Sequence, residues 1–448
     1  MWWGQVKAAN RARSLSSLTN LITTNKGVTM RTELTQGVYL NVVPTTQFKT
    51  TRVAIHFIAP ADATTYAART LLTSVLETSS AAYPTQSLLS AALEQLFGAS
   101  FGIGVAKDGQ MHRVTATLNL VSDQLAQAPL LASGFALLKE VLMHPLLADG
   151  EFDAQVFGRE QQNLAAYLGS LDEDRQLQAS MATQRLYFEG QPAQMTPSFG
   201  TITQLEAVTP ASLMQTYQQM LAHDQIEIVV LGQVTEADVL PLASALGFAP
   251  RAVAPMKLTV DRPVGKFRTK TQTAHVNQAK LNLAYHVDAD LYGRKYFANV
   301  VAADLFGGSP LSLLFTNVRE KASLAYYASA AFDPFRNMMV VQSGIDGQNA
   351  KRVQALIAAQ LQAVQTGAFA DDLLDRIKEG LRNSRQAAYD SPRFLARQEL
   401  LHALAVNHQP GFAAYAAAID AVTKAEVQAA AQTWRLQAVY LLKEQEEG

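Results

Sequence analysis

The run Gly307-Gly308-Ser309-Pro310-Leu311-Ser312-Leu313-Leu314-Phe315-Thr316-Asn317-Val318-Arg319-Glu320-Lys321-Ala322-Ser323-Leu324-Ala325-Tyr326-Tyr327 changes character twice in a short span. The glycine pair predicts a structural turn at Gly307 and Gly308. Arg319-Glu320-Lys321 reads as the end of a helix, where cations interact favourably with the helix dipole. Leu324-Ala325-Tyr326 reads as the start of a strand. Taken alone, Arg319 would be a helix-terminal cation and Tyr326 a half-buried strand aromatic. Strand alternation would send Tyr326 and Tyr327 to opposite faces, so only one of them could face a given chamber.

Outward from this run, the chain repeats itself. Residues 53–62, a strand entering a helix, have a counterpart in 281–288, and 147–156 match 368–377, at offsets of about 220–230 residues. Before the repeat, alternation predicts strands over 38–43 and 51–58 and a hairpin through Val105 and 112–120. Helical periodicity covers 64–79, 87–97, 124–142, 149–170 and 210–221, and a strand follows over 225–231. Pro250, Pro255 and Pro263 break regular structure at the joint. The expected organisation is an extension over 1–29, a first domain over 30–246, a linker over 247–263 and a second domain over 264–448. Each half mixes hairpin strands with helices, so the fold class is α+β. Two alanine-rich helical stretches, 355–363 and 413–431, have a periodicity that suits packing within the chain or against a partner.

The 448 residues suffice for two sizeable cores. With 37 basic and 38 acidic side chains, no field favours nucleic acid or a membrane surface. Cysteine is absent, which removes disulfides, thiolate metal sites and a thiol nucleophile. No apolar stretch is long enough to span a bilayer, and the N-terminus has no continuous signal core, so cytoplasm is the expected location. Lys26-Gly27-Val28 is compatible with a purine-rich ribosome-binding site ahead of a Met30 start codon. The expectation is therefore that 1–29 is either disordered or mis-assigned, and N-terminal sequencing of the native protein checks it.

The glycine-rich turn, helix end and strand of 307–327, together with the duplication, resemble the insulinase-type (pitrilysin-like) zinc peptidases from about Met30 onward. The resemblance implies two homologous domains, each a mostly antiparallel sheet packed by helices, forming half of a clamshell. Active domains of that family carry H-x-x-E-H on the first long helix and a further glutamate downstream. The chemistry needs two imidazoles one turn apart, a glutamate to take a proton from zinc-bound water, and an open metal position. The equivalent helix here reads Arg69-Thr70-Leu71-Leu72-Thr73-Ser74-Val75-Leu76-Glu77-Thr78, without histidine. Downstream, no carboxylate stands at Ala166, and Glu160 lies about two turns earlier. The second-half helix over 292–306 also lacks histidine.

Among His56, His112, His144, His223, His275, His286, His402 and His408, no two stand at i,i+3 or i,i+4. No metal and no cofactor are therefore expected on this chain. His56 and His286 occupy matching strand positions and read as shared sheet packing. Nucleophile-elbow, P-loop and dinucleotide fingerprints are absent. The resemblance further implies that Arg319 and Tyr326 face a zinc across the chamber, hold the substrate backbone and help stabilise the oxyanion. The chain would then be the noncatalytic subunit of a heterodimer, its zinc-bearing sister cutting unstructured peptides. The alternatives are a structural scaffold, like family members that became core subunits of a respiratory complex, and a peptide-binding protein without peptidase activity.

Overall fold

The computed structural model describes residues 30–405 and 410–445. Residues 1–29, on which the start-site expectation falls, and His408 lie outside them. The first half runs β1 (Met30–Thr35), β2 (Val38–Pro44), β3 (Thr50–Pro60), α1 (Tyr66–Thr78), β4 (Ser100–Asp108), β5 (Met111–Val121), a small hairpin of β6 (Leu147–Ala148) and β7 (Glu151–Phe152), α2 (Ala154–Ser170), α3 (Arg175–Tyr187) and β8 (Gln225–Gly232). Alternation sorts β3 cleanly. Val53, Ile55 and Phe57 enter a core with Leu71, Leu72, Val75 and Leu76 of α1, whereas Ala54, His56 and Ile58 face the other side. Each such buried aliphatic or aromatic side chain contributes roughly 1.5–3 kcal/mol.

The second half runs β9 (Arg268–Ala274), β10 (Ala279–His286), α4 (Arg294–Ala303), β11 (Ala325–Asp333), β12 (Met338–Ile345), α5 (Ala350–Thr366), α6 (Asp371–Ala388), α7 (Pro392–Leu404), helices Phe412–Ala421 and Lys424–Thr433, and β13 (Arg435–Glu444). Its sheet order, β11-β12-β10-β13-β9, repeats β4-β5-β3-β8-β2 of the first sheet strand for strand; β1 is an addition at the far edge. In each sheet one pair, β2 with β8 and β9 with β13, is parallel and the other pairs are antiparallel. The fold is α+β, two mixed sheets packed by helices.

The halves hold each other by exchanging helices. Helix α3, from the first half, lies on the outer face of the second sheet, where Tyr187 and Phe188 meet Ala284, Met338 and Ala438. Helix α7 returns the arrangement: Ala396, Leu400 and Leu401 cover Ile58 and Val229 of the first sheet. The segment 247–263 has little regular structure yet is anchored. Its Leu258 and Val260 are buried, and the Val260 N–H donates to the Phe335 carbonyl at 2.7 Å.

Several elements depart from the sequence expectation. The helix expected over 124–142 is a single turn at Asp123–Ala126 and then Leu130–Met143; Gln127 is left-handed (φ 54°) and Pro129 offers no N–H to bridge the two. The helix expected from 149 begins at Ala154, because Asp153 caps it through the N–H groups of Gln155 and Val156. Each alanine-rich stretch packs one face into the core of the second half, through Ile357, Leu361, Tyr415, Ile419, Val427 and Ala431, and leaves alanines such as Ala355, Ala358, Ala413 and Ala417 exposed on the other.

Candidate functional site

Helix α1 is where a metal would be held, and its inward face is apolar. Leu71, Leu72, Val75 and Leu76 are each at most 2% exposed. The two carboxylates left nearby are both engaged. Glu77 Oε2 accepts the Ile103 N–H of edge strand β4 at 3.1 Å, and burial raises its pKa, with the Ile103 hydrogen bond opposing and the Glu160 charge adding. Glu160 on α2 accepts from Arg159 Nε at 2.7 Å. Among the described residues no three histidine, aspartate or glutamate side chains converge as a ligand group. These residues do not fit a zinc ion.

The other half of the expected site lies on β11, an edge strand. Ahead of it come two wide, π-type helical segments, Asp304–Gly308 and Leu314–Lys321, a form enriched at functional sites. Gly307 is needed for close approach: a Cβ there would stand 2.7 Å from the Ala330 Cβ and from Leu314. The second segment closes through Ala322 N–H to the Asn317 carbonyl at 3.2 Å, and Ser323 turns the chain in the left-handed region (φ 52°). Arg319 is exposed, its guanidinium 4.5 Å from the Phe315 ring centroid.

Tyr326 follows as the unpaired residue of a β-bulge, since Ala325 faces Ile345 and Tyr327 faces Gly344. The bulge breaks the alternation on which the two-face argument rested, so burial and partners distinguish the tyrosines instead. Tyr326 is 71% exposed and makes no hydrogen bond among the described residues. Tyr327 donates its hydroxyl to Gln176 of α3, and burial pushes its pKa up to about 12. Gly344 leaves room for its ring. One tyrosine holds the halves together and the other is free.

A family model described as the inactive domain of M16 peptidases matches residues 207–381. A Bacillus subtilis (strain 168) protein named probable inactive metalloprotease YmfF is 28% identical over 424 residues, covering 91% of this chain and 96% of its own. A conserved protein from Enterococcus faecalis V583, known from its crystal structure, is 40% identical with a TM-score of 0.89, over 94% of this chain and 100% of its own. The chain belongs to the M16, insulinase-like, peptidase family. A crystallised M16 inactive domain from Pseudomonas fluorescens, 16% identical, shares the fold with a TM-score of 0.75 over 94% of this chain and 99% of its own.

Within this M16 fold a seam cavity of about 250 Å³ separates the halves, lined by Lys107, Leu177, Met181, Phe199, Phe335 and Arg336 among others. Burial and then the Arg336 charge pull the Lys107 pKa down to about 7, although its ammonium donates to the carbonyls of Ala193, Gln194 and Thr196. Those three acceptors favour the charged form, so Lys107 serves as a cationic clasp for that segment. The paired histidines differ in detail: His56 Nδ1 lies 2.9 Å from Thr115 Oγ1, and His286 Nδ1 lies 3.5 Å from the Tyr187 hydroxyl. The bulge, the clasp and the bonds across the seam escaped sequence reasoning, because each depends on strand register or on contacts between distant segments.

Proposed function

We propose that this chain is the zinc-free member of a two-chain insulinase-type peptidase and that Arg319 and Tyr326 complete a site whose zinc sits on the sister subunit. The supporting observation is that Tyr326, unlike its neighbour Tyr327, is left without internal partners at a bulge on an open sheet edge, with Arg319 also exposed on the helical segment before it. A bulge re-aims a side chain out of the sheet. A guanidinium and a phenol hydroxyl placed there would bind a peptide carbonyl and the oxyanion that grows from it. The water-activating zinc and its glutamate would come from the partner, and the substrate would be an unstructured peptide.

The test is a tagged pull-down from the native host, with zinc and peptide cleavage measured on the eluate. A stoichiometric partner of similar size bearing H-x-x-E-H, with chelator-sensitive cleavage, is the expected result. Recovery of the chain alone, inert towards peptides, would move the reading to a scaffold or a peptide binder.

A further inference from the structure

The outer face of the first sheet, beside α7, carries a cluster of donors without enough acceptors. Arg52 and His56 stand on β3, Arg113 on β5, and Arg393 and Arg397 one turn apart on α7. Asp108 answers only part of this charge. It accepts from Arg113 Nε at 3.1 Å and from Arg397 through two bonds of 2.9 and 2.6 Å. Burial would raise its pKa, but Arg397 and Arg113 outweigh that and hold it below the usual range.

The remaining donors lack acceptors. Arg52 gives Nη1 to Asn119 Oδ1 at 2.8 Å, while its buried Nε has no partner. His56, 6% exposed, receives Arg113 Nη1 on Nδ1 at 3.3 Å, so the ring proton sits on Nε2, which is buried and also unpartnered. Arg393 makes no hydrogen bond or ion pair among the described residues, yet its charge is close enough, after burial, to depress the Arg52 pKa. Every missing partner is therefore an acceptor. The floor beside them is small and open: Thr115 and Thr117 lie opposite Gly104 and Gly102, and a Cβ on Gly104 would meet nothing within 4 Å.

We propose that this face binds the acidic stretch of an extended peptide, with carboxylates received by the Arg52 and Arg393 guanidinium groups. The site is separate from Arg319 and Tyr326, and its test uses the isolated chain, so it stands or falls apart from the role in trans.

Fluorescence anisotropy with a short unstructured glutamate-rich peptide, its glutamine counterpart and inorganic phosphate is the experiment. The glutamate peptide should bind at least about tenfold more tightly than the glutamine one, and added salt should weaken it. Arg393→Glu, an exposed change, should cost about tenfold or more in affinity with unaltered thermal unfolding, and Arg52→Met should act in the same direction. Equal binding of the two peptides, or full affinity in a folded Arg393→Glu variant, would overturn the proposal. Displacement by equimolar inorganic phosphate would also overturn it and leave a compact-anion site.

Discussion

Tyr326 and Tyr327 are chemically identical neighbours with opposite fates. Sequence could place both on a strand after the Arg319 helix end, but the choice between them depends on where β12 pairs, and the bulge is a property of that register. In the reconstituted pair, Arg319→Ala with Tyr326→Phe should lower peptide turnover by about a hundredfold, the scale of losing an oxyanion donor. Its urea midpoint should match that of the parent chain, because neither side chain is buried. Tyr327→Phe should behave in the reverse way. Turnover should persist while stability falls by about 1 kcal/mol, since Gln176, whose Nε2 already lacks a partner, then loses its hydroxyl contact as well. Urea titration beside the peptidase assay separates the two tyrosines.

At the scale of elements, the chain shows how unequal its glycines are. Gly307 lets the helical segment Asp304–Gly308 press against β11; Gly307→Ala should destabilise by about 1–3 kcal/mol through overpacking on Ala330. Gly380, in the middle of exposed α6, has nothing within 4 Å of a built Cβ, so Gly380→Ala should stabilise by up to about 1 kcal/mol. Thermal unfolding of the two variants reads both signs. Element type was largely legible in the sequence, because the Val53-Ile55-Phe57 alternation and the α1 stripe report burial directly. Boundaries were less so. The break at Gln127 and the start at Ala154 are settled by a positive φ and an aspartate cap, local details that periodicity does not register.

Over the whole molecule, the duplication was visible in sequence, and the matching sheet orders follow it. The helix exchange was not, because α3 and α7 each carry a stripe that says "buried" without naming the sheet that buries it. One interior network makes the assembly pH-sensitive. Asp224 accepts from Arg69 Nη2 at 2.6 Å, Arg69 Nε donates to His112 Nδ1 at 3.1 Å, and His112 Nε2 lies 2.8 Å from the Ser198 carbonyl. Burial, then the Arg69 charge, pushes the His112 pKa down to about 3. Between that value and about 6.5, the ordinary histidine pKa, the unfolded chain binds a proton that the folded chain refuses. Stability is therefore lost as pH falls through this window, approaching about 1.4 kcal/mol per pH unit. Asp304, raised to about 6 chiefly by burial, works in the opposite direction. His112→Gln should flatten the wild-type slope of urea midpoint against pH, and the difference between the two proteins cancels the Asp304 contribution.

The crossing of α3 and α7 also sets an order of manufacture. A ribosome delivers the first sheet long before residue 404, so Ile58 and Val229 wait bare until α7 emerges, while α3 waits for a sheet not yet translated. Each half is the other's last folding step. A chain stopped near residue 250 should then be cut rapidly by protease at α3 and should aggregate through its uncovered sheet face. The same fragment mixed with the separately made second half should regain protection. Protection of the fragment by itself would show that the first half finishes folding unaided.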